Sequence, residues 1–264
     1  MNIIIIKQKF IIQSYIKYVI DMIEIKMHDG PARLGKCLKM DTPNLIIPEN
    51  SLKILKDEPM PYNVPKTLAE WSVNSTIEYA KNSNETGIGV VHGSKYSDLR
   101  VKCALELEKL GNSILMIANP ESLIGNSRDL VDIIPRLREN INPNTGLYFP
   151  FAEPAYMPFL AYMGVDFFDS VSADYHAELN ILLTTSQSYD LNIYKLYDMD
   201  LDELTEYNRK TIEFTINEIR EHIKNGTLRN LVEERSCSSP ELMTALRLLD
   251  RDHYDFISSY TQLY

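Results

Sequence analysis

A fold of parallel strands joined by helices is predicted by three features of this 264-residue sequence. Short apolar runs alternate with segments of helical period over residues 67–168, the order that βα units produce. Those runs end in polar residues, as strands do where a pocket opens at their carboxyl ends. Beyond Tyr194 only helical patterns continue, which adds a helical tail to an α/β domain.

The elements follow in order. Residues 23–27 alternate with period two and stop at Asp29-Gly30-Pro31, a half-buried strand running into a turn. Pro43, Pro48, Pro59, Pro61 and Pro65 exclude a helix before Lys66, leaving loops and one short strand at residues 45–47. Residues 67–82 carry Leu68, Trp71, Ser75 and Tyr79 on one helical stripe, and 88–91 is a buried strand between Gly87 and Gly93. Residues 97–110 place Leu99, Cys103, Leu107 and Leu110 at helical spacing before Gly111. Strands at 114–118, 147–149 and 165–168 then alternate with helices at 127–139, where Pro135 predicts a kink or a late start, and at about 155–162. Residues 174–180 read as a surface helix with His176 exposed. Asp200 with Glu203 forms a capping box for a long amphipathic helix closed by Gly226, and Ser239-Pro240 starts another.

The composition is that of an ordinary globular chain, 44% hydrophobic and 24% charged. With 27 basic against 37 acidic residues the formal charge is −10, the reverse of the cationic footprint that a self-sufficient nucleic-acid binder presents. Cys37, Cys103 and Cys237 form no Cys-x-x-Cys pair, so neither a zinc site nor a disulfide framework is expected, and a reducing cytoplasm fits. Lys7, Lys9 and Lys17 interrupt the isoleucine-rich start before it could span a membrane. Residues 1–21 therefore read as an N-terminal extension, either an amphipathic surface helix or the product of a start codon placed too far upstream, ahead of one domain over residues 22–264.

Four predicted strands end in groups with chemistry to offer: His92-Gly93-Ser94, Asn119, Glu153 and Asp169-Ser170. If these strands adjoin, an imidazole, an amide and two carboxylates converge, a set suited to a nucleophile or general base beside hydrogen bonds for a polar ring. Each also has a plain structural reading. Asn119 and Asp169 can cap helices, His92 can be a hydrogen-bonded loop residue, and Glu153 before Pro154 can open a helix.

Three stretches carry a family resemblance: Asp29-Gly30-Pro31-Ala32-Arg33-Leu34-Gly35, residues 89–100 with His92-Gly93-Ser94, and Gly164-Val165-Asp166-Phe167-Phe168-Asp169-Ser170. They resemble, in order and rough position, stretches of the archaeal tRNA-guanine transglycosylases. Within that superfamily the chain looks most similar to the transglycosylase-like part of archaeosine synthases, over about residues 23–257. The resemblance implies a TIM-barrel-like (β/α) domain, shortened in its early strands. Asp169 then matches the carboxylate that attacks the target ribose, and His92-Gly93 matches a Gln-Gly pair touching the base. Asn119 and Glu153 join them as base-binding candidates.

The chain departs from the family in three places. His92 stands where the family has Gln, which changes the donors and acceptors offered to a guanine-like ring. The early Asp-Ser-Gly-Gly-Phe-Gln stretch with the second catalytic carboxylate is absent, as is the Cys-x-Cys-x-x-Cys zinc site. Base exchange is therefore expected to be disabled. Archaeosine synthases act on 7-cyano-7-deazaguanine already in the tRNA D-loop and add an amine, lysine in one form, to its nitrile. In that family the motif Pro-Cys-x-x-Lys-Pro-Tyr-x-x-Ser-x-x-His and an RNA-binding PUA domain follow the transglycosylase-like part, and neither occurs before Tyr264. The resemblance thus implies a cytoplasmic subunit of a split enzyme with no cofactor of its own. Its partners would be the modified tRNA, a second chain with the catalytic motif and PUA domain, and a radical SAM enzyme downstream. A noncatalytic scaffold and a degenerate transglycosylase are the competing readings.

Overall fold

The turn at Gly30 and Pro31 folds β1 (Glu24–Asp29) back onto β2 (Ala32–Cys37) as an antiparallel hairpin, with Gly30 at a φ of +58° where a side chain would be strained. The computed structural model describes residues 23–37, 40–47, 52–83, 85 and 87–260. The expected N-terminal extension, residues 1–21, lies outside the described residues. The period-two burial expected of the first strand does not hold through its length. A register shift between Ile25 and Met27 exchanges the faces, so Ile23 is buried while Met27 is exposed.

The stretch read as loops holds two further strands. β2 and β3 (Met40–Thr42) pair antiparallel, then β4 (Asn44–Ile46) enters the main sheet at the expected place. β2 has no apolar alternation because its buried positions include Arg33 and Gly35. A Cβ on Gly35 would lie 2.4 Å from the carbonyl oxygen of Glu24, and Arg33 is buried through pairing with Asp166.

The main sheet is parallel. Helix α1 (Lys66–Asn82) leads to β5 (Ile88–Val91), α2 (Ser97–Lys109) to β6 (Ile114–Ile117), and α3 (Pro120–Ile124) with α4 (Ser127–Asn140) to β7 (Gly146–Tyr148). Helix α5 (Met157–Tyr162) precedes β8 (Phe167–Asp169), and the strand order is β4-β8-β7-β6-β5. Alternate residues divide between two cores. Val91, Leu115, Ile117, Leu147 and Phe168 face the helices, whereas Ile46, Ile88, Ile114, Tyr148 and Phe167 pack with Ile23 and Cys37 of the N-terminal hairpin. Ile46 and Ile88 come from opposite edges of the sheet and belong to one cluster through Ile114, Tyr148 and Phe167 of the strands between them. Among the described residues no ladder joins β4 to β5.

Pro135 does not delay α4, which starts at Ser127 with the Asn126 side chain accepting from the Asp129 N–H. In α1 the buried positions are Ala69, Ser72, Val73, Thr76, Ile77 and Ala80, whose small side chains let the helix sit close; Trp71 is 52% exposed. Helix α6 (Val171–Glu178) corrects the expectation for His176, which is only 5% exposed and whose Nδ1 lies 2.7 Å from the carbonyl oxygen of Ser172.

A short hairpin, β9 (Ile181–Leu183) with β10 (Ser188–Asp190), and helix α7 (Leu191–Tyr194) lead into the tail. Asp200 and Glu203 form the expected capping box of α8 (Leu201–Lys224). Helices α9 (Leu228–Ser236), α10 (Pro240–Asp252) and α11 (Tyr254–Ser259) follow, and Leu231, Val232, Leu242 and Leu249 share the core that backs the sheet. No helix among the described residues is long and apolar enough to cross a membrane.

Candidate active site

Because β5, β6, β7 and β8 are neighbours in a parallel sheet, their carboxyl ends lie along one edge, which brings His92, Asn119, Glu153 and Asp169 to the same end of the domain. Among the described residues no hydrogen bond joins any two of the four. Each is held by its own surroundings.

Asp169 closes β8 and is buried. Its Oδ1 accepts from the Ser172 N–H at 2.6 Å and the Ser172 hydroxyl at 2.7 Å. Its Oδ2 accepts from the Phe151 N–H at 2.7 Å and the Tyr148 hydroxyl at 3.3 Å. A carboxylate has about four acceptor directions, and here four donors occupy them. Phe151 reaches this position with a φ of +54°, a conformation costly for a non-glycine residue that the surrounding contacts hold in place. Burial, and then the charge of Asp169, pushes the Tyr148 phenol well above its ordinary pKa, so Tyr148 stays protonated and donating.

His92 and Asn119 lie beneath residues 57–64. His92 Nε2 is 2.7 Å from Asp57 Oδ2, and since a carboxylate only accepts, Nε2 carries the hydrogen. The Asn119 amide donates to the carbonyl of Met60 at 3.1 Å, and the Ser94 hydroxyl to that of Pro61 at 3.0 Å. The Tyr96 hydroxyl donates to Val64 at 3.0 Å. These bonds strap the segment across the ends of β5 and β6. His92 Nδ1, Asn119 Oδ1 and Arg100 Nη2 are buried beside it without a hydrogen-bond partner among the described residues. Gly93, at a φ of +147°, has its own reason to be glycine: a Cβ would stand 2.6 Å from the backbone nitrogen of Arg100. Arg100 is fully buried, donates from Nε to Ser94, and has its pKa pushed down to about 10 by burial.

Glu153 is half-buried. Its carboxylate accepts from the Ser188 hydroxyl, and its carbonyl accepts from Tyr156 and Met157 at the start of α5. The second carboxylate on the same strand run, Asp166, sits at the opposite end, where Arg33 grips it at 2.9 and 2.6 Å and Arg138 approaches to 3.5 Å. Groups at that end of a βα sheet ordinarily serve stability, not chemistry. Among the described residues no three His, Cys, Asp or Glu side chains gather in a way that could hold a metal ion.

The family described as Queuine tRNA-ribosyltransferase matches residues 51–209, a stretch that contains all four of these strand ends. The chain belongs to this family. Archaeosine synthase of Methanocaldococcus jannaschii is 33% identical to it over 194 residues, covering 73% of this chain and 32% of that protein. The tRNA-guanine(15) transglycosylases of Thermococcus kodakarensis and Pyrococcus furiosus are each 29% identical, over 75% and 87% of this chain and 39% and 45% of their own length. The chain thus spans from about a third to just under half of the length of these relatives.

Three residues that hold the site, Ser172, Tyr148 and Asp57, lie outside the candidates that the sequence offers. Ser172 carried a signal, since Asp169-x-x-Ser172 has the spacing at which a side chain accepts from an N–H three residues on. Tyr148 and Asp57 carried none. Tyr148 counted only as an apolar strand residue, and Asp57 is tied to His92 across 35 positions of sequence.

Proposed function

We propose that this chain is the transglycosylase-like part of an archaeosine synthase. It would serve modification of 7-cyano-7-deazaguanine in the tRNA D-loop together with a second chain that carries the catalytic motif and the RNA-binding PUA domain. In that reaction the amine nitrogen bonds to the nitrile carbon, its proton passes to the nitrile nitrogen, and no group leaves. The parallel sheet is read as a (β/α) barrel shortened in its early strands, with His92, Gly93, Asn119 and Glu153 at the base-binding mouth. The product would pass to a radical SAM enzyme in the cytoplasm.

The saturation of Asp169 carries this reading. A nucleophile needs a free lone pair aimed at the ribose, whereas both oxygens of Asp169 are engaged by Ser172, Phe151 and Tyr148. The net charge of −10 supports it too, since a chain with that balance needs help to hold RNA. The alternative of a scaffold rests on the same saturation and differs in leaving the tRNA base untouched by this chain.

Exchange of labelled guanine into tRNA tests the proposal. The isolated chain is expected to incorporate none above background. Incorporation that disappears in Asp169→Ala would make it a working transglycosylase instead.

A further inference from the structure

Residues 192–198, from within α7 into the connection to α8, are exposed without interruption, and they include Ile193, Tyr194, Leu196 and Tyr197. Ile193 is 71% exposed, Tyr194 59% and Tyr197 57%, an unusual concentration of apolar surface on consecutive residues. Two clefts of about 490 and 370 Å³ flank this segment and share Tyr197, Asp198 and Met199 as walls. The larger is completed by Glu203, Glu206, Tyr207 and Lys210.

The charge around this surface is one-sided. Residues 188–207 hold six carboxylates and one lysine, Lys195. The neighbouring cations Lys210 and Arg209 are both paired to Glu206. Tyrosine faces beside carboxylates receive guanidinium or ammonium groups through cation–π and ionic contacts together. Such a surface repels phosphates, which excludes RNA as its occupant. A symmetric contact between two copies would set the same carboxylates against one another, which disfavours self-association.

We infer that the surface formed by residues 193–207 docks a second protein whose contact face presents Arg or Lys side chains around an apolar anchor. This rests on the reading that a separate RNA-binding chain completes the enzyme, and it assigns that chain a place on this one. A chain that holds tRNA is basic, so its charge complements this face. The position follows from the same logic: the anchor buries the tyrosines, and the carboxylates set register and association rate.

The test mixes the full chain with the PUA-bearing second chain and measures Kd by calorimetry at low and physiological salt. The variants are Tyr197→Ser with Tyr207→Ser, and Asp198→Lys with Glu206→Lys; Tyr254→Ser, exposed on α11, is the control. Melting by circular dichroism verifies that each variant is folded. The inference predicts a salt-weakened complex whose Kd rises by about tenfold or more in both double variants and stays unchanged in the control. A complex with unchanged Kd in the double variants overturns this surface and leaves the two-chain reading standing. No complex with the unaltered chain overturns both. Self-association of the unaltered chain that the tyrosine substitutions abolish overturns the inference in favour of a second copy.

Discussion

Ser172 donates twice to one oxygen of Asp169, from its backbone N–H at 2.6 Å and from its hydroxyl at 2.7 Å. A carboxylate at the carboxyl end of β8 thereby binds the first turn of α6. The other oxygen ties the loop after β7 to the end of β8 through Phe151. Asp169 therefore joins the loop after β7 to the first turn of α6 at this end of the sheet.

Position at the strand end alone would predict Asp169→Asn to be neutral for stability. The four donors change that expectation, because the new amide NH₂ must face N–H or O–H groups that have nowhere else to bond. A loss of about 1–3 kcal/mol is expected, readable by denaturant titration. The tRNA-modifying activity of the assembled enzyme should fall only modestly once folded protein is compared at equal concentration. A loss of about a thousandfold in rate with the fold intact would return Asp169 to the role of nucleophile.

Tyr148 gives a pH dependence with a definite sign. Its phenol is raised above the ordinary value of 10.0 by burial and by the charge of Asp169. The folded state therefore keeps a proton that the unfolded chain releases. Its contribution is fully present below pH 10.0 and is lost as pH rises above it. Stability should fall on the alkaline side, and less steeply in Tyr148→Phe. Identical alkaline limbs for the two proteins, measured by chemical denaturation, would count against the assignment.

The opposite end of the strand offers a contrast. Asp166 is 1% exposed and pairs with Arg33, while Arg138 lies 3.5 Å away. Asp166→Ala leaves two buried guanidinium groups without their carboxylate, and about 3–5 kcal/mol of stability should go with it. A melting curve close to that of the unaltered chain would show that water replaces the carboxylate there.

How much of this was legible in the sequence follows from what each segment had to do. Strands β5 to β8 were legible because both faces are buried, which writes an apolar run; so were α8 and α10, through Asp200-x-x-Glu203 and Ser239-Pro240. Strands β2 and β3 were not, since β2 buries Arg33 and Gly35 in place of alternating apolar residues. The stripe of Leu68 and Trp71 misled because α1 packs through small residues. At the site, the strand ends could be named from sequence, but their engagement could not: Asp57 reaches His92, and Tyr148 reaches Asp169, only once distant strands are side by side.

The strap over His92 should be separable from the rest of the fold. Its anchors to β5 and β6 are polar contacts from Asp57, Met60 and Pro61, while α1 and Leu55 hold its ends. Asp57→Ala is expected to speed amide exchange within residues 57–64 and leave β6 and β7 protected. Unchanged exchange in the segment would mean that its prolines and end contacts hold it without the His92 contact.

Mass spectrometry of tRNA nucleosides decides whether modification needs both chains. tRNA bearing 7-cyano-7-deazaguanine is incubated with an amine donor and this chain, the second chain, or both. The base is expected to gain the mass of the amine only when both chains are present, with no base exchanged by this chain alone. Replacement of the base by this chain alone, or full conversion by the second chain without it, would overturn the proposed function.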